Sequence, residues 1–178
     1  MAIIKPGESA SPAGGTSDKR ISDKLIQLLN KQIKIEGESS QLYLAISQWC
    51  KYMGYENSAA LFAKYSDEER GHMKQVYEYL QDRDIQPVTP DFNKPFPQTF
   101  SSIVDIYKAA YEHEKFVTSS FSNIAVACSD EKDFMSLEFA MSFLKEQKEE
   151  EAKTKLYVDQ LSLIGTDKLS LYLFDKEL

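Results

Sequence analysis

The chain has 178 residues, 42% of them hydrophobic and 28% charged, which suits one domain with a sizeable core. A formal net charge of −7 argues against a generally basic nucleic-acid-binding surface. No apolar run approaches the roughly 20 residues that span a bilayer, and the opening Met1-Ala2-Ile3-Ile4-Lys5-Pro6 lacks the apolar stretch of a signal peptide.

Residues 1–20 hold Pro6, Pro12, Gly14 and Gly15 among small polar residues and read as a mobile tail. Lys5, Lys19 and Arg20 against Glu8 and Asp18 make it too weakly basic for a nucleic-acid arm. Residues 21–178 are expected to form a single domain. Ser22 is placed to cap a first helix running to about Cys50, with an inner line of Leu25, Leu29, Gln32, Glu36, Ser39, Tyr43, Ile46 and Cys50. Gly54 breaks it. Asn57 or Ser58 is expected to cap a second helix to about Arg83, lined by Ser58, Phe62, Tyr65, Glu69, His72, Val76 and Tyr79.

Pro87, Pro90, Pro95 and Pro97 make residues 84–101 neither helix nor central strand. The segment is too long for a tight turn and predicts a crossover along the length of a bundle. Ser101 or Ser102 opens the third helix, lined by Ile103, Tyr107, Ala110, Glu114, Val117, Phe121, Ile124 and Cys128. After a turn near Ser129-Asp130, the fourth helix runs to about Ile164 through Leu137, Ala140, Leu144, Gln147, Glu150 or Glu151, Thr154, Val158 and Leu161. Gly165 stops it. The final residues, with Leu169, Leu171, Tyr172, Leu173 and Phe174, predict a short helix apolar enough to be buried in an oligomer contact. Cys50 and Cys128 both fall on inner lines and read as reduced core thiols of an intracellular protein.

Every inner line carries an acid or amide: Glu36, then Glu69-x-x-His72, then Glu114, then Gln147-x-x-Glu150. Buried carboxylates are costly unless paired or bound to a cation. Glu36 lies about 21 Å from the expected end of its helix, and Glu69 about 18 Å into the next. A crossover makes the second and third helices parallel, so Glu114 falls at the same level, and Gln147 joins it across the next turn. Each acid alone reads as a helix-surface charge. Together, at one level on four inner lines, they define a di-iron carboxylate bundle.

Carboxylates with one imidazole suit iron, manganese or zinc. Glu69 is the best bridge, because His72 three residues on shares its face. Glu36, Glu69 and His72 form an expected site A. Glu69 and Glu114 form site B, with Glu150 and Gln147 near it. The neutral amide leaves site B weaker, which suits an ion that departs after reaction. Glu68, Glu146 and Glu149 flank the inner ligands and read either as solvated charges or as a third, transit site. Tyr43 reads either as a core aromatic or as a neighbour of the metals. His113, one residue off the inner line, is a neighbour or a surface group rather than a ligand.

The segments Ile35-Glu36 with Ser39-Ser40-Gln41-Leu42-Tyr43, Asp67-Glu68-Glu69-Arg70-Gly71-His72-Met73, Ala109-Ala110-Tyr111-Glu112-His113-Glu114-Lys115-Phe116, Glu146-Gln147-Lys148-Glu149-Glu150-Glu151 and Phe174-Asp175-Lys176-Glu177-Leu178 resemble the prokaryotic-type, non-haem ferritins. The resemblance covers residues 21–178. It implies an all-α four-helix bundle with a long crossover and a short fifth helix. It also implies a cytoplasmic ferroxidase that binds two Fe(II), oxidises them with O2 or peroxide, and deposits Fe(III) mineral in a shell of twenty-four subunits. By position it assigns Glu36, Glu69 and His72 to site A, and Glu69, Glu114 and Glu150 with Gln147 to site B. It assigns Glu68, Glu146, Glu149 and Glu150 to a third iron site, and makes Tyr43 the tyrosine beside the centre. Asp130, Glu131 and Asp133 match the approach to three-fold channels, and the fifth helix matches a four-fold contact.

Departures carry information too. A haem-containing relative would repeat Glu-x-x-His in the fourth helix, where this chain has Gln147-x-x-Glu150, so no haem and no permanent di-iron cofactor are expected. The long tail and Gly37 are unusual for the family. The rival readings are a di-iron oxidase or peroxidase of the same fold without storage, a DNA-binding mini-ferritin, and a purely structural bundle.

Overall fold

The computed structural model describes residues 21–92, 97 and 99–178. The expected tail, and Pro95 of the crossover, lie outside the described residues. Five helices follow in order: α1 (Asp23–Met53), α2 (Glu56–Asp82), α3 (Ile103–Glu131), α4 (Phe134–Ile164) and α5 (Lys168–Lys176). No strand occurs among the described residues. α1 packs on α2 and α3 on α4, the two hairpins meet through α1 and α3, and α5 touches α2 and α4. Among the described residues, no helix is long and apolar enough to cross a membrane.

The helix ends follow local chemistry. Ser22 accepts from the Leu25 amide, as expected, and Gly54 ends α1 in the left-handed region at φ 88°. Ser102 caps α3 by accepting from the Asp105 amide. Two expectations need correction. α3 runs on past Ser129-Asp130 to Glu131 and ends at Lys132 with φ 57°. Asn57 and Ser58 do not cap α2; they lie inside it, and Tyr55 at the cap position offers no side-chain bond. The buried carboxylate of Asp175 in α5 takes over, accepting from the backbone amides of Ser58 at 2.8 Å and Asn57 at 3.2 Å. A residue far along the chain caps the helix, so no reading of the sequence around α2 could find it.

The inner lines of α1 and α3 are buried throughout as expected. On α4 the line differs: Ser136 and Phe143 are buried, while Leu137 and Leu144 sit only partly inside. Phe143 stacks on Phe121 at 4.3 Å. Apolar packing forms two clusters. One gathers Leu25, Leu29, Val76, Leu80, Phe121 and Phe143. The other gathers Tyr43, Ile46, Phe62, Tyr65, Tyr107 and Phe174. The acids Glu36, Glu69 and Glu114 fall along the helices between them. Cys50 and Cys128 are free and buried, one in each cluster.

The crossover is tied down at its start. Val88 donates its backbone amide to Asn30 Oδ1 at 2.7 Å, and Lys34 lies 3.6 Å from Asp91. Gly37, an unhelpful residue for a helix, acquires a reason here. A Cβ at that position would stand 2.6 Å from Phe92 Cζ and 3.1 Å from Met73 Sδ. Its bare backbone lets the crossover settle beside Glu36.

Candidate metal centre

Glu36, Glu69, His72 and Glu114 are all at least 95% buried, and Gln147 is 98% buried. Two groups of ligand atoms form, each within 4.8 Å: Glu36 with Glu69 and His72, and Glu69 with Glu114 and Glu150. Glu69 belongs to both. Four helices thus meet at one level, and the shared carboxylate stands between two seats.

The first seat is held by a chain of hydrogen bonds. Ser120 of α3 donates to Gln32 Oε1 at 2.6 Å, and Gln32 Nε2 donates to Glu36 Oε1 at 2.6 Å. Glu36 Oε2 has no partner. His72 turns Nδ1 toward Glu69 Oε2 at 3.4 Å and Nε2 toward Glu146 Oε1 at 3.3 Å. A carboxylate on the outer nitrogen of a ligating histidine fixes its ring and tautomer. The Phe143 ring meets His72 edge-on at 5.5 Å.

In the second seat, Glu114 is satisfied on both oxygens. Tyr43 donates its hydroxyl to Oε1, and Gln147 Nε2 donates to Oε2 at 3.0 Å. Gln147 also reaches the Glu114 backbone carbonyl at 3.3 Å. Glu150 is less deeply buried, and its Oε2 has no partner. A narrow pocket opens over this seat, lined by Tyr65, Glu68, Glu69, Glu114, Glu150 and Thr154.

Gathering acids in a buried layer raises their proton affinity. Burial first, then the charge of Glu69, holds the Glu36 carboxyl well above the usual range. Burial likewise pushes Glu69 up to about 8. Burial and the charge of Glu114 push Glu150 to about 8. Without a cation these groups hold protons more tightly than exposed carboxylates do, and a divalent ion would compete with those protons. The orphaned oxygens of Glu36 and Glu150, one in each seat, are the lone pairs a cation would take, so the donor set fits iron.

The flanking acids are placed differently from one another. Glu68 pairs with Lys64 at 3.1 Å and lines the pocket. Glu146 faces His72, and Glu149 is exposed. None of these three belongs to either group. His113 is partly buried, with Nε2 2.7 Å from Ser39 Oγ. Ser39 Oγ also lies 2.9 Å from the Ile35 carbonyl, so its one hydroxyl proton serves either that carbonyl or His113. Asp133 caps α4 through the Ser136 amide and pairs with Arg83 at 3.2 Å, while Asp130 and Glu131 are exposed.

The Gln32–Ser120 chain and Tyr65 are absent from the expected site. Gln32 had a signal, since it stands four residues before Glu36 on one helix face. Ser120 had none; it arrives from α3, 88 positions away.

Bundle, crossover and paired acid seats together define a ferritin-like protein. The family described as a ferritin-like domain matches residues 26–164, and the chain belongs to the ferritins. It is 34% identical over 158 residues to the bacterial non-heme ferritin of Escherichia coli O6:H1, covering 89% of this chain and 95% of that one. To the bacterial non-heme ferritin of Campylobacter jejuni it is 33% identical over 156 residues, covering 88% and 93%. Its fold is similar to that of an open pore ferritin from the archaeon Archaeoglobus fulgidus, with a TM-score of 0.85 and 30% identity, covering 88% of this chain and 96% of that one.

Proposed function

We propose that this chain is an iron-storage ferritin with ferroxidase activity. The observation that carries this reading is the pair of buried acid groups sharing Glu69. Glu36, Glu69 and His72 hold one Fe(II), and Glu69, Glu114 and Glu150, with Gln147 beside them, hold the second. Each Fe(II) gives one electron to O2, and two protons complete hydrogen peroxide; peroxide itself serves as the alternative oxidant. Tyr43 fixes Glu114. Gln147 in place of a charged ligand leaves the second seat weaker, so Fe(III) leaves it. Glu68, Glu146 and Glu149 with Glu150 form a third iron site on the exit route. No haem takes part.

Twenty-four copies of residues 21–178 enclose the mineral in the cytoplasm, with residues 1–20 as an appended tail. The exposed Leu169, Tyr172 and Leu173 of α5 supply the apolar surface for the contacts between copies. The test adds Fe(II) aerobically to purified apoprotein. A fast phase of about two Fe(II) per subunit, one for each seat, is expected before slower mineral growth. An oxidase or peroxidase of the same fold without storage would turn over iron and leave no mineral and no shell-sized particle on gel filtration.

A further inference from the structure

Tyr65 stands one turn before Glu69 on the inner face of α2 and is 92% buried, yet its hydroxyl has no hydrogen-bond partner. Buried tyrosine hydroxyls nearly always find one. The ring is held on several sides: the Tyr43 centroid lies 5.7 Å away, Phe62 meets it edge-on at 5.8 Å, and Lys153 Nζ sits 4.9 Å from its centre. It lines the narrow pocket over the second seat together with Glu69, Glu114 and Glu150. The same pocket is lined by Glu150, whose Oε2 is also unpartnered. Tyr65 and Glu150, each with an unpartnered buried oxygen, therefore line one small space together with the carboxylates of Glu68, Glu69 and Glu114.

Tyr43 and Tyr65 are neighbours with different tasks. Tyr43 has spent its hydroxyl on Glu114. The Tyr65 hydroxyl makes no hydrogen bond of normal length and angle, although the Tyr157 phenol stands near it. Burial, with the nearby Tyr157 phenol adding to it, holds the Tyr65 proton well above the usual tyrosine range. It stays a neutral O–H, suited to hydrogen-bond an oxygen rather than to ligate a cation.

We propose that Tyr65 is a positioning residue of the second seat, whose hydroxyl hydrogen-bonds the water or hydroxide carried by the cation bound at Glu69, Glu114 and Glu150. Three carboxylates leave coordination positions open on a transition-metal ion, and solvent oxygen on the pocket side fills one. The water bridges Tyr65 and the ion, the ion takes the lone pair of Glu150, and both orphans are satisfied. This inference rests on the reading of the acid groups as cation seats.

Co(II), which resists oxidation by air, is the probe. Purified full-length apoprotein is titrated anaerobically, following heat and visible absorption. The unaltered chain is expected to bind in two steps. Tyr65→Phe keeps the ring and the first step, weakens the second step by about threefold to tenfold, and shifts the visible band that grows with it. Placing 4-aminophenylalanine at position 65 restores a donor and brings the second step back. Because the hydroxyl has no partner in the apoprotein, Tyr65→Phe is expected to leave the apo melting temperature unchanged or slightly raised. A second step and band identical in Tyr65→Phe overturn the proposal. So does a weakening that the amino variant fails to rescue, and so does an apo form that Tyr65→Phe destabilises or unfolds. An unaltered chain that binds no Co(II) overturns the cation reading itself, and this inference with it.

Discussion

The two seats share Glu69 and differ in nearly everything else. The Glu36 seat is enclosed: Glu36 and His72 are almost fully buried, and a bonded chain through Gln32 to Ser120 fixes the carboxylate. The Glu150 seat lies under a pocket, has a partly exposed acid, and uses a neutral amide and a phenol to hold Glu114. Enclosure with fixed ligands favours retention, and a seat bordering a pocket with a partly exposed acid favours exchange. With both groups read as cation seats, one bridging carboxylate would join a holding site to a passing site. That suits a protein whose metal is cargo.

The sharpest way to break this comparison is to remove what the seats share. Glu69→Ala is expected to abolish fast Fe(II) oxidation in stopped-flow absorbance, by about a hundredfold or more, since misplacing reacting groups by an ångström already costs that much. Both steps of a Co(II) titration should fail together. A variant that oxidises iron at the unaltered rate would mean that the acid layer is structural.

A selective change should separate the seats. Gln32→Leu removes the donor to Glu36 and strands Ser120. The first-seat affinity is expected to fall by about tenfold to a hundredfold, the usual cost of removing a ligand's supporting hydrogen bond. The second step should hold within a few fold. Equal loss at both steps would show that the layer acts as one unit rather than as two unequal halves.

Proton linkage tests the layer as a whole. Glu69 and Glu150 have folded-state values near 8 against an ordinary 4.5, because burial disfavours their charge. Below the ordinary range both states are protonated, and the cost of burying charge is absent. Between the ordinary range and about 8 the folded apoprotein binds more protons than the unfolded chain, so its stability falls as pH rises. Cation binding runs the other way, because each proton displaced makes binding tighter as pH rises toward 8. Urea unfolding of the apoprotein from pH 5 to 8 should show the decline, and saturating Zn(II) should flatten or reverse it. A metal-free chain that gains stability over that window would contradict the burial of uncompensated acids.

How much of this was legible in the chain follows from distance along it. Glu36, Glu69, His72 and Glu114 were readable because helical period alone puts them on inner faces, and helix lengths bring them level. On α4 the expected Ala140, Gln147, Thr154 and Leu161 are buried, and only at Leu137 and Leu144 does the line shift by a residue, because they satisfy the period as well as Ser136 and Phe143. Packing on Phe121 and His72 decides for Phe143, and bonds to Tyr79 and Asp133 decide for Ser136. Glu146 reads as a surface charge or a transit ligand, and its half-exposed side chain also reaches the outer nitrogen of His72 at 3.3 Å, a contact that no local pattern announces. The role of Gly37 needed Phe92 of the crossover, 55 positions on, before its missing side chain made sense. Partners from other helices leave no mark in a local pattern.

The smallest effect on either seat should come from the end of the bundle that neither uses. Asp175 stands at the start of α2, where Tyr55 supplies no cap, and accepts from the Asn57 and Ser58 amides. Removing a capping carboxylate costs about 1 kcal/mol, with a range of roughly 0.5 to 2. Asp175→Ala should therefore lower the apo melting temperature by a few degrees and loosen α5, which also packs Phe174 edge-on to Tyr107 at 5.3 Å. Co(II) affinity at both steps should stay within about twofold, because Glu69 lies more than three helical turns from the cap. If both steps weaken together, α5 is part of the frame that sets the metal layer. If only the second step weakens, its influence runs through Tyr107 and Tyr157, which lie between Phe174 and the phenol of Tyr65. The open seat, and not the enclosed one, would then be the one sensitive to how the subunits meet.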